Sequence, residues 1–181
     1  MYFSTRYLQD YGVPEEAIQP FFQNEFKQCL IGKADLKEEI AKYLERWKWK
    51  GSVDELLQYW FEFESTTDQA IIEFAQKLRA KNIQCFLQTQ NEKYRVQYIW
   101  NNMGLNNSFD GIFSSTEIGA KKATKEFWDK VYKKLNKPKK SEIMVWDDDE
   151  EVVEMAKNFG FQAQFYTDFA SFQDSLTKHL S

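Results

Sequence analysis

Ile83-Gln84-Cys85-Phe86-Leu87, running into Gln88-Thr89-Gln90-Asn91, decides the fold. Five mostly apolar residues closed by four polar ones read as a short buried strand. Upstream of Asn82 the apolar spacing is helical throughout. Asp35 stands as an N-cap before Leu36, Ile40, Tyr43, Leu44 and Trp47. Ser52-Val53-Asp54-Glu55 has the form of a capping box and precedes Leu56, Leu57, Tyr59, Trp60 and Phe63. A further helix from about Thr67 carries Ala70, Ile71, Phe74, Ala75 and Leu78 on one face. Residues 5–30 also read as helix, broken at Gly12-Val13-Pro14.

Downstream, strand and helix alternate. Gly111-Ile112-Phe113-Ser114, Ile143-Met144-Val145-Trp146 and Ala163-Gln164-Phe165-Tyr166 read as strands. Between them lie helical stretches around Val96–Met103, Phe127–Leu135 and Val152–Phe159, and another follows with Phe172 and Leu176. This alternation predicts an α/β fold: a parallel sheet with helices on both faces, beside a helical N-terminal third.

The 181 residues suit one domain with a small insert. Lys plus Arg number 24 and Asp plus Glu 28, a net charge of −4, which lacks the basic footprint of a nucleic-acid binder or an anionic-membrane binder. Seven glycines and three prolines are few for a turn-rich all-β fold, and 31 aromatic residues are too many for a disordered chain. Cys29 and Cys85 make no disulfide framework, and no apolar run approaches the ~20 residues of a membrane span. With no apolar leader at the start, the expected location is cytoplasmic. His179 is the sole histidine, so histidine-based catalysis and histidine-rich metal sites are disfavoured.

In open parallel sheets ligands sit beyond the carboxyl ends of the strands, which here selects residues 88–92, 114–122 and 147–151. Asp147-Asp148-Asp149-Glu150-Glu151 follows an apolar strand without a spacer. Such crowding of like charge suits a hard cation, although a solvated loop is equally open. Thr89 can hold a phosphate oxygen or cap the next helix. Lys121-Lys122, after Gly119, can bridge carboxylate and phosphate charge or form a solvated pair.

Taken in order, these segments resemble the haloacid dehalogenase-like (HAD) phosphohydrolase superfamily. The resemblance covers most of residues 60–168. It implies a Rossmann-like core at 66–181 with a helical cap at 1–65, where Trp47, Trp49, Trp60 and Phe61 form cap core or line the substrate mouth. It also implies that Thr89 and Lys122 bind the phosphoryl group, and that Asp148 ligates Mg²⁺ with Asp147 in support. The substrate implied is a small phosphorylated metabolite. Gln90 and Ala123 replace the usual Asn and Pro, and Val152 stands where another acid is common.

The family's first motif, a central strand ending in the nucleophile Asp-x-Asp, has no counterpart near the start; none of the eleven aspartates precedes Asp10. Asp147–Asp149 has that spacing but comes last in the order. Two expectations stand side by side. One is a shortened form of an active Mg²⁺-dependent phosphatase, favoured because an open sheet centre is costly. The other is a catalytically dead module that binds a ligand or a protein. In either case the chain as written is expected to be inactive, with self-association through the open sheet a possible consequence.

Overall fold

Residues 3–180 are described by the structure, a computed structural model. The N-terminal third is helical: α1 (Phe3–Tyr11), α2 (Glu15–Gln23), α3 (Glu25–Cys29), α4 (Leu36–Ala41) and α5 (Val53–Phe63). Asp35 caps α4 through the N–H groups of Lys37 and Glu38, and Ser52 with Glu55 forms the expected capping box. These helices close over an aromatic core. Phe3, Tyr7, Phe21, Trp47 and Trp60 are buried, with neighbouring ring centroids 5.0–6.2 Å apart. Tyr7 donates its hydroxyl to the Trp47 carbonyl at 2.9 Å and Trp47 Nε1 donates to Ala17, so each polar tip inside this core has a partner.

The second part begins with α6 (Gln69–Arg79), capped by Asp68. It then alternates through β1 (Phe86–Thr89), α7 (Lys93–Gln97), a π-helical turn (Tyr98–Asn102), β2 (Gly111–Ser114), α8 (Ser115–Ile118), α9 (Lys125–Lys134), β3 (Met144–Asp147), α10 (Glu150–Phe159), β4 (Gln162–Phe165) and α11 (Phe169–Leu180). Strand alternation sends Val145 and Trp146 to opposite faces. Val145 packs with Val152, Val153 and Ala156 of α10 and with Phe127 and Val131 of α9. Trp146 meets Phe172 of α11 edge-on at 4.9 Å, and Phe172 in turn meets Phe74 of α6. Helices therefore cover both faces, as the apolar strands require.

The sheet is interrupted. β1 and β2 pair in parallel from Phe86↔Gly111 to Thr89↔Ser114, and β3 and β4 pair in parallel from Met144↔Gln162 to Asp147↔Phe165. The two pairs share no backbone hydrogen bond. All four residues of β1 are half-buried, where the sequence predicts a buried strand; its edge away from β2 has no neighbouring strand among the described residues.

Two polar junctions tie the parts together. The Arg95 guanidinium donates to the carbonyls of Phe61 and Glu64 and lies over the rings of Phe61 and Tyr98. Buried Ser115 donates to the Leu30 carbonyl at 2.6 Å. Beside it Gly32 has φ +70°, and a Cβ there would lie 2.6 Å from the Thr116 carbonyl oxygen. A residue without a side chain is needed at that close approach.

Candidate active site

Three separate segments converge at the carboxyl ends of β1 and β3. β3 delivers Asp147, whose side chain is only 3% exposed. The turn after α8, where Gly119 adopts φ +74°, carries Lys122 back across the strand ends. Lys122 Nζ lies 2.6 Å from Asp147 Oδ2. Gln88 Nε2, from β1, donates to the same oxygen at 2.7 Å. The other oxygen, Oδ1, accepts the Asp149 N–H at 3.0 Å. Asp149 caps α10 by accepting the Glu151 N–H, which turns the acidic run into a helix start at once.

The residues singled out from the sequence separate into two groups. Lys122 and Asp147 meet directly. Thr89 and Asp148 do not join them. Thr89 is half-buried, and its hydroxyl accepts from Asn91 Nδ2 at 2.5 Å. It does not cap α7; Glu92 does, through the N–H groups of Tyr94 and Arg95. Asp148 is exposed at the mouth of the site.

Two glutamines complete the arrangement and were not singled out. Gln88 reaches Asp147, and Gln90 Oε1 accepts the Lys122 backbone N–H at 3.3 Å. Their signal was present in the sequence: strand alternation gives residues 88 and 90 a common side, opposite Thr89.

A cavity of about 660 Å³ lies beside this site, at the junction of the helical part with the strand ends. Asp35, Glu92, Lys93, Thr116 and Glu117 are among its lining residues, and neither Lys122 nor Asp147 reaches it. Lys93 pairs with Asp35, and the Tyr94 hydroxyl donates to the same carboxylate at 3.0 Å. Burial pushes the Glu92 carboxyl above its usual range, against the two N–H bonds that pull it down.

The donor set can be tested against a divalent cation. No group of three or more acidic, histidine or cysteine residues with metal-site geometry occurs among the described residues. Mg²⁺ needs only one or two protein carboxylates when water and phosphate supply the rest. Asp148 meets that requirement as an open carboxylate at the strand end, whereas Asp147 is engaged by Lys122, Gln88 and a backbone N–H. Among the described strand-end acids, Asp148 is thus the one open carboxylate that could meet a hydrated ion.

The profile of the family described as "Haloacid dehalogenase-like hydrolase" matches residues 4–165. The chain belongs to this family. Solved structures share its α/β fold. A HAD family enzyme from Bacteroides thetaiotaomicron, in a magnesium complex, superposes with a TM-score of 0.76 at 16% identity, covering 92% of this chain and 87% of that one. A predicted HAD-like hydrolase from Porphyromonas gingivalis gives 0.76 at 16% identity, covering 98% and 88%. L-2-haloacid dehalogenase from Xanthobacter autotrophicus gives 0.60 at 19% identity, covering 97% and 76%. At these identities the likeness is one of fold. No curated protein sequence matches the chain. In this HAD-like chain, Lys122, Asp147 and most of the helical N-terminal third lie within the matched span.

Proposed function

We propose that this chain is the phosphate- and cation-binding framework of a HAD-type phosphohydrolase for small phosphomonoesters, and that it binds such groups without turning them over. The observation that carries the proposal is the buried Lys122–Asp147 pair, built from three chain segments at the strand ends. A lysine ammonium has three N–H donors, and Lys122 spends one on Asp147, leaving two for phosphoryl oxygens. Thr89 stands apart from this pair at the end of β1, its hydroxyl accepting from Asn91. Asp148 would hold Mg²⁺, with Asp147 fixing the turn that presents it. The ion, when bound, neutralises phosphate charge.

In the mechanism that the family resemblance implies, turnover starts from a carboxylate nucleophile at a strand end. The described strands end in Thr89, Ser114, Asp147 and Phe165, and the one acid among them is committed to Lys122. The Bacteroides enzyme has been crystallised with magnesium and inorganic phosphate together, the same pair of ligands proposed here. Residues 1–65 serve as the cap in this reading, over a core of 66–181. Nothing in the charge balance calls for nucleic acid, and no described helix is long and apolar enough to cross a membrane. We place the protein in the cytoplasm.

The test is thermal unfolding with MgCl₂ and inorganic phosphate, alone and together. At ten times Kd a ligand adds about 1.4 kcal/mol, roughly 3–6 °C in Tm for a chain of this size. The shift with both ligands is expected in the unaltered chain and is lost in Lys122→Ala and Asp148→Asn. No shift with both ligands at tens of millimolar would overturn the binding proposal. Steady Mg²⁺-dependent phosphate release from p-nitrophenyl phosphate would overturn the absence of turnover.

A further inference from the structure

Residues 130–140 contain six lysines and no acid, whereas the other 170 residues carry 18 basic and 28 acidic side chains. A chain of net charge −4 therefore holds one segment of +6 against a remainder of −10. The segment comprises the end of α9 and the turn that leads into β3. It lies at the amino end of β3, while Lys122 and Asp147 stand at the carboxyl ends of the strands. Three rises of about 3.3 Å along β3 separate the two places by about 10 Å or more.

Three of the six lysines serve the fold. Lys130 pairs with Glu126 and donates to the Ile118 carbonyl, and Lys134 pairs with Glu117. Lys140 donates to the Phe159 carbonyl, its ammonium 3.9 Å from the centroid of the Phe159 ring. The other three do not. Lys133 and Lys137 are exposed and make no ion pair among the described residues. Lys139 is 82% exposed and its neighbour Glu142, 3.7 Å away, is 60% exposed, so the two form a solvated pair. The bond from Lys140 to Phe159 draws in the last turn of α10, where Lys157 is also exposed. Asp129, on the same side of α9, is already paired with Lys125.

The helix dipole accounts for Lys133 in the last turn of α9 and for Lys157 in that of α10, but its effect fades beyond that turn. Lys137 and Lys139 lie outside it. Lys137 has φ +55°, directly after Asn136 at φ +60°. This left-handed region suits glycine and asparagine and disfavours a lysine. The turn is held there by the Lys137 N–H on the Tyr132 carbonyl at 3.1 Å and by the Tyr132 hydroxyl on the Pro138 carbonyl at 2.8 Å. An unpaired charge thus occupies a position where glycine would suit the backbone better.

We propose that Lys133, Lys137, Lys139 and Lys157 form a docking face for a short acidic segment of a partner protein, a run of four or more Asp and Glu residues that offers one carboxylate to each ammonium. Charge complementarity selects an anion. The composition selects a peptide over nucleic acid. Residues 130–140 contain no arginine, the side chain that forks onto phosphate. Their one aromatic, Tyr132, has its hydroxyl bonded and its ring beneath Lys140, so no ring is free to stack on a base. A long polyanion would also run past the patch onto a surface of net charge −10, whereas a short peptide stays within a Debye length, about 8 Å, of the lysines. The proposal rests on the charge and backbone of this segment and is independent of phosphate binding.

The probe is a fluorescein-labelled synthetic peptide, Gly-Glu-Asp-Glu-Glu-Asp-Glu-Gly, titrated with the full chain and followed by anisotropy. Saturable binding is expected at about 50 mM NaCl and should weaken roughly fivefold or more at about 200 mM. The same peptide with Gln and Asn in place of Glu and Asp should not bind. Lys133→Gln/Lys137→Gln/Lys139→Gln should weaken binding roughly tenfold or more. Lys48→Gln/Lys50→Gln/Lys81→Gln removes the same charge from exposed lysines elsewhere and should stay within about twofold. Lys137→Gly should weaken binding about twofold or more while raising Tm, because glycine relieves the left-handed turn. No saturable binding up to ~1 mM peptide would overturn the proposal. So would equal losses from the two triple variants, or full binding by Lys137→Gly. Equal or tighter binding of a labelled single-stranded RNA of the same length would overturn it in favour of nucleic acid. Salt-sensitive self-association in sedimentation, abolished by the Lys133, Lys137 and Lys139 substitutions, would overturn it in favour of a second copy.

Discussion

Replacing Lys122 by methionine isolates the charge that holds the site together. Asp147 Oδ2 receives the ammonium at 2.6 Å and the Gln88 amide at 2.7 Å, and the aspartate side chain keeps 3% of its surface. Methionine retains most of the apolar stem and removes the cation. The carboxylate then keeps only two neutral donors, Gln88 Nε2 and the Asp149 N–H. Removing one partner of a buried pair costs about 3–5 kcal/mol, because the other charge stays desolvated. Lys122 itself retains 15% exposure, which places the expected loss near the lower end, about 3 kcal/mol.

For a chain of this size that is a fall in Tm of roughly 6–12 °C. Asp147→Asn keeps an acceptor for Gln88 and leaves a lysine able to turn towards water, so it should cost about 1 kcal/mol. The double variant Lys122→Met/Asp147→Asn should unfold close to Asp147→Asn alone, giving a coupling of about 3 kcal/mol. Urea unfolding of the four proteins, followed by circular dichroism at constant salt, measures the cycle. A Lys122→Met loss under about 1 kcal/mol with no coupling would refute the reasoning. The pair would then behave as a solvated surface bridge.

Three other expectations follow from the junction and its cavity. Gly32→Ala forces a Cβ to within 2.6 Å of the Thr116 carbonyl at φ +70°, whereas Gly12→Ala at φ +64° meets nothing within 4 Å. Both incur the left-handed penalty of about 1–3 kcal/mol, and the excess loss of Tm in Gly32→Ala reports the clash. Ser115→Ala leaves the Leu30 carbonyl without its donor and should cost about 1–3 kcal/mol in chemical unfolding; a loss within error would mean that water replaces the hydroxyl. Burial raises the Glu92 pKa above its unfolded value, so the folded state holds the proton more tightly in the interval between them. Stability contributed by this group is fully present below the unfolded pKa of 4.5 and is lost as pH rises from there through the folded pKa. Glu92→Gln should flatten that fall in urea titrations between pH 4.5 and 8, and an unchanged slope would show that Glu92 is not its source.

Much of this architecture is written in local chemistry. Asp35 and Ser52 cap the helices that they were expected to cap, because a short polar side chain before an apolar period has few other uses, and Thr124 caps α9 in the same way. β2 lies where the sequence predicts it, and β3 and β4 lie within one residue. β1 is displaced from 83–87 to 86–89. The apolar lead-in serves other bonds: the Ile83 N–H closes the end of α6 on Leu78, and the Cys85 N–H is taken by Asp110 Oδ2. The helix expected from Thr67 starts at Gln69, because the Asp68 carboxylate accepts two N–H bonds and outcompetes the threonine. At the site, Lys122 and Asp147 were legible because charge at a strand end is conspicuous. Gln88 was not, since a glutamine in a short apolar strand looks like punctuation until the strand opposite is in place. The cavity and the Ser115–Leu30 bond depend on contacts 85 residues apart, which no local pattern encodes.

The pairing of strands also bears on how the chain acquires its structure. β1 meets β2 across 25 residues and β3 meets β4 across 18, so each ladder closes a modest loop with its own connecting helices. Contacts of short separation form early and fast. The aromatic helical part gathers its core from residues 3 to 61, again within one contiguous stretch. Native-state exchange should resolve these as separate opening units of different free energy, the unit containing the half-buried β1 opening first. Arg95 and Ser115, together with the Phe61–Tyr98 ring contact, are then the fasteners that join parts each gathered from a local stretch of sequence.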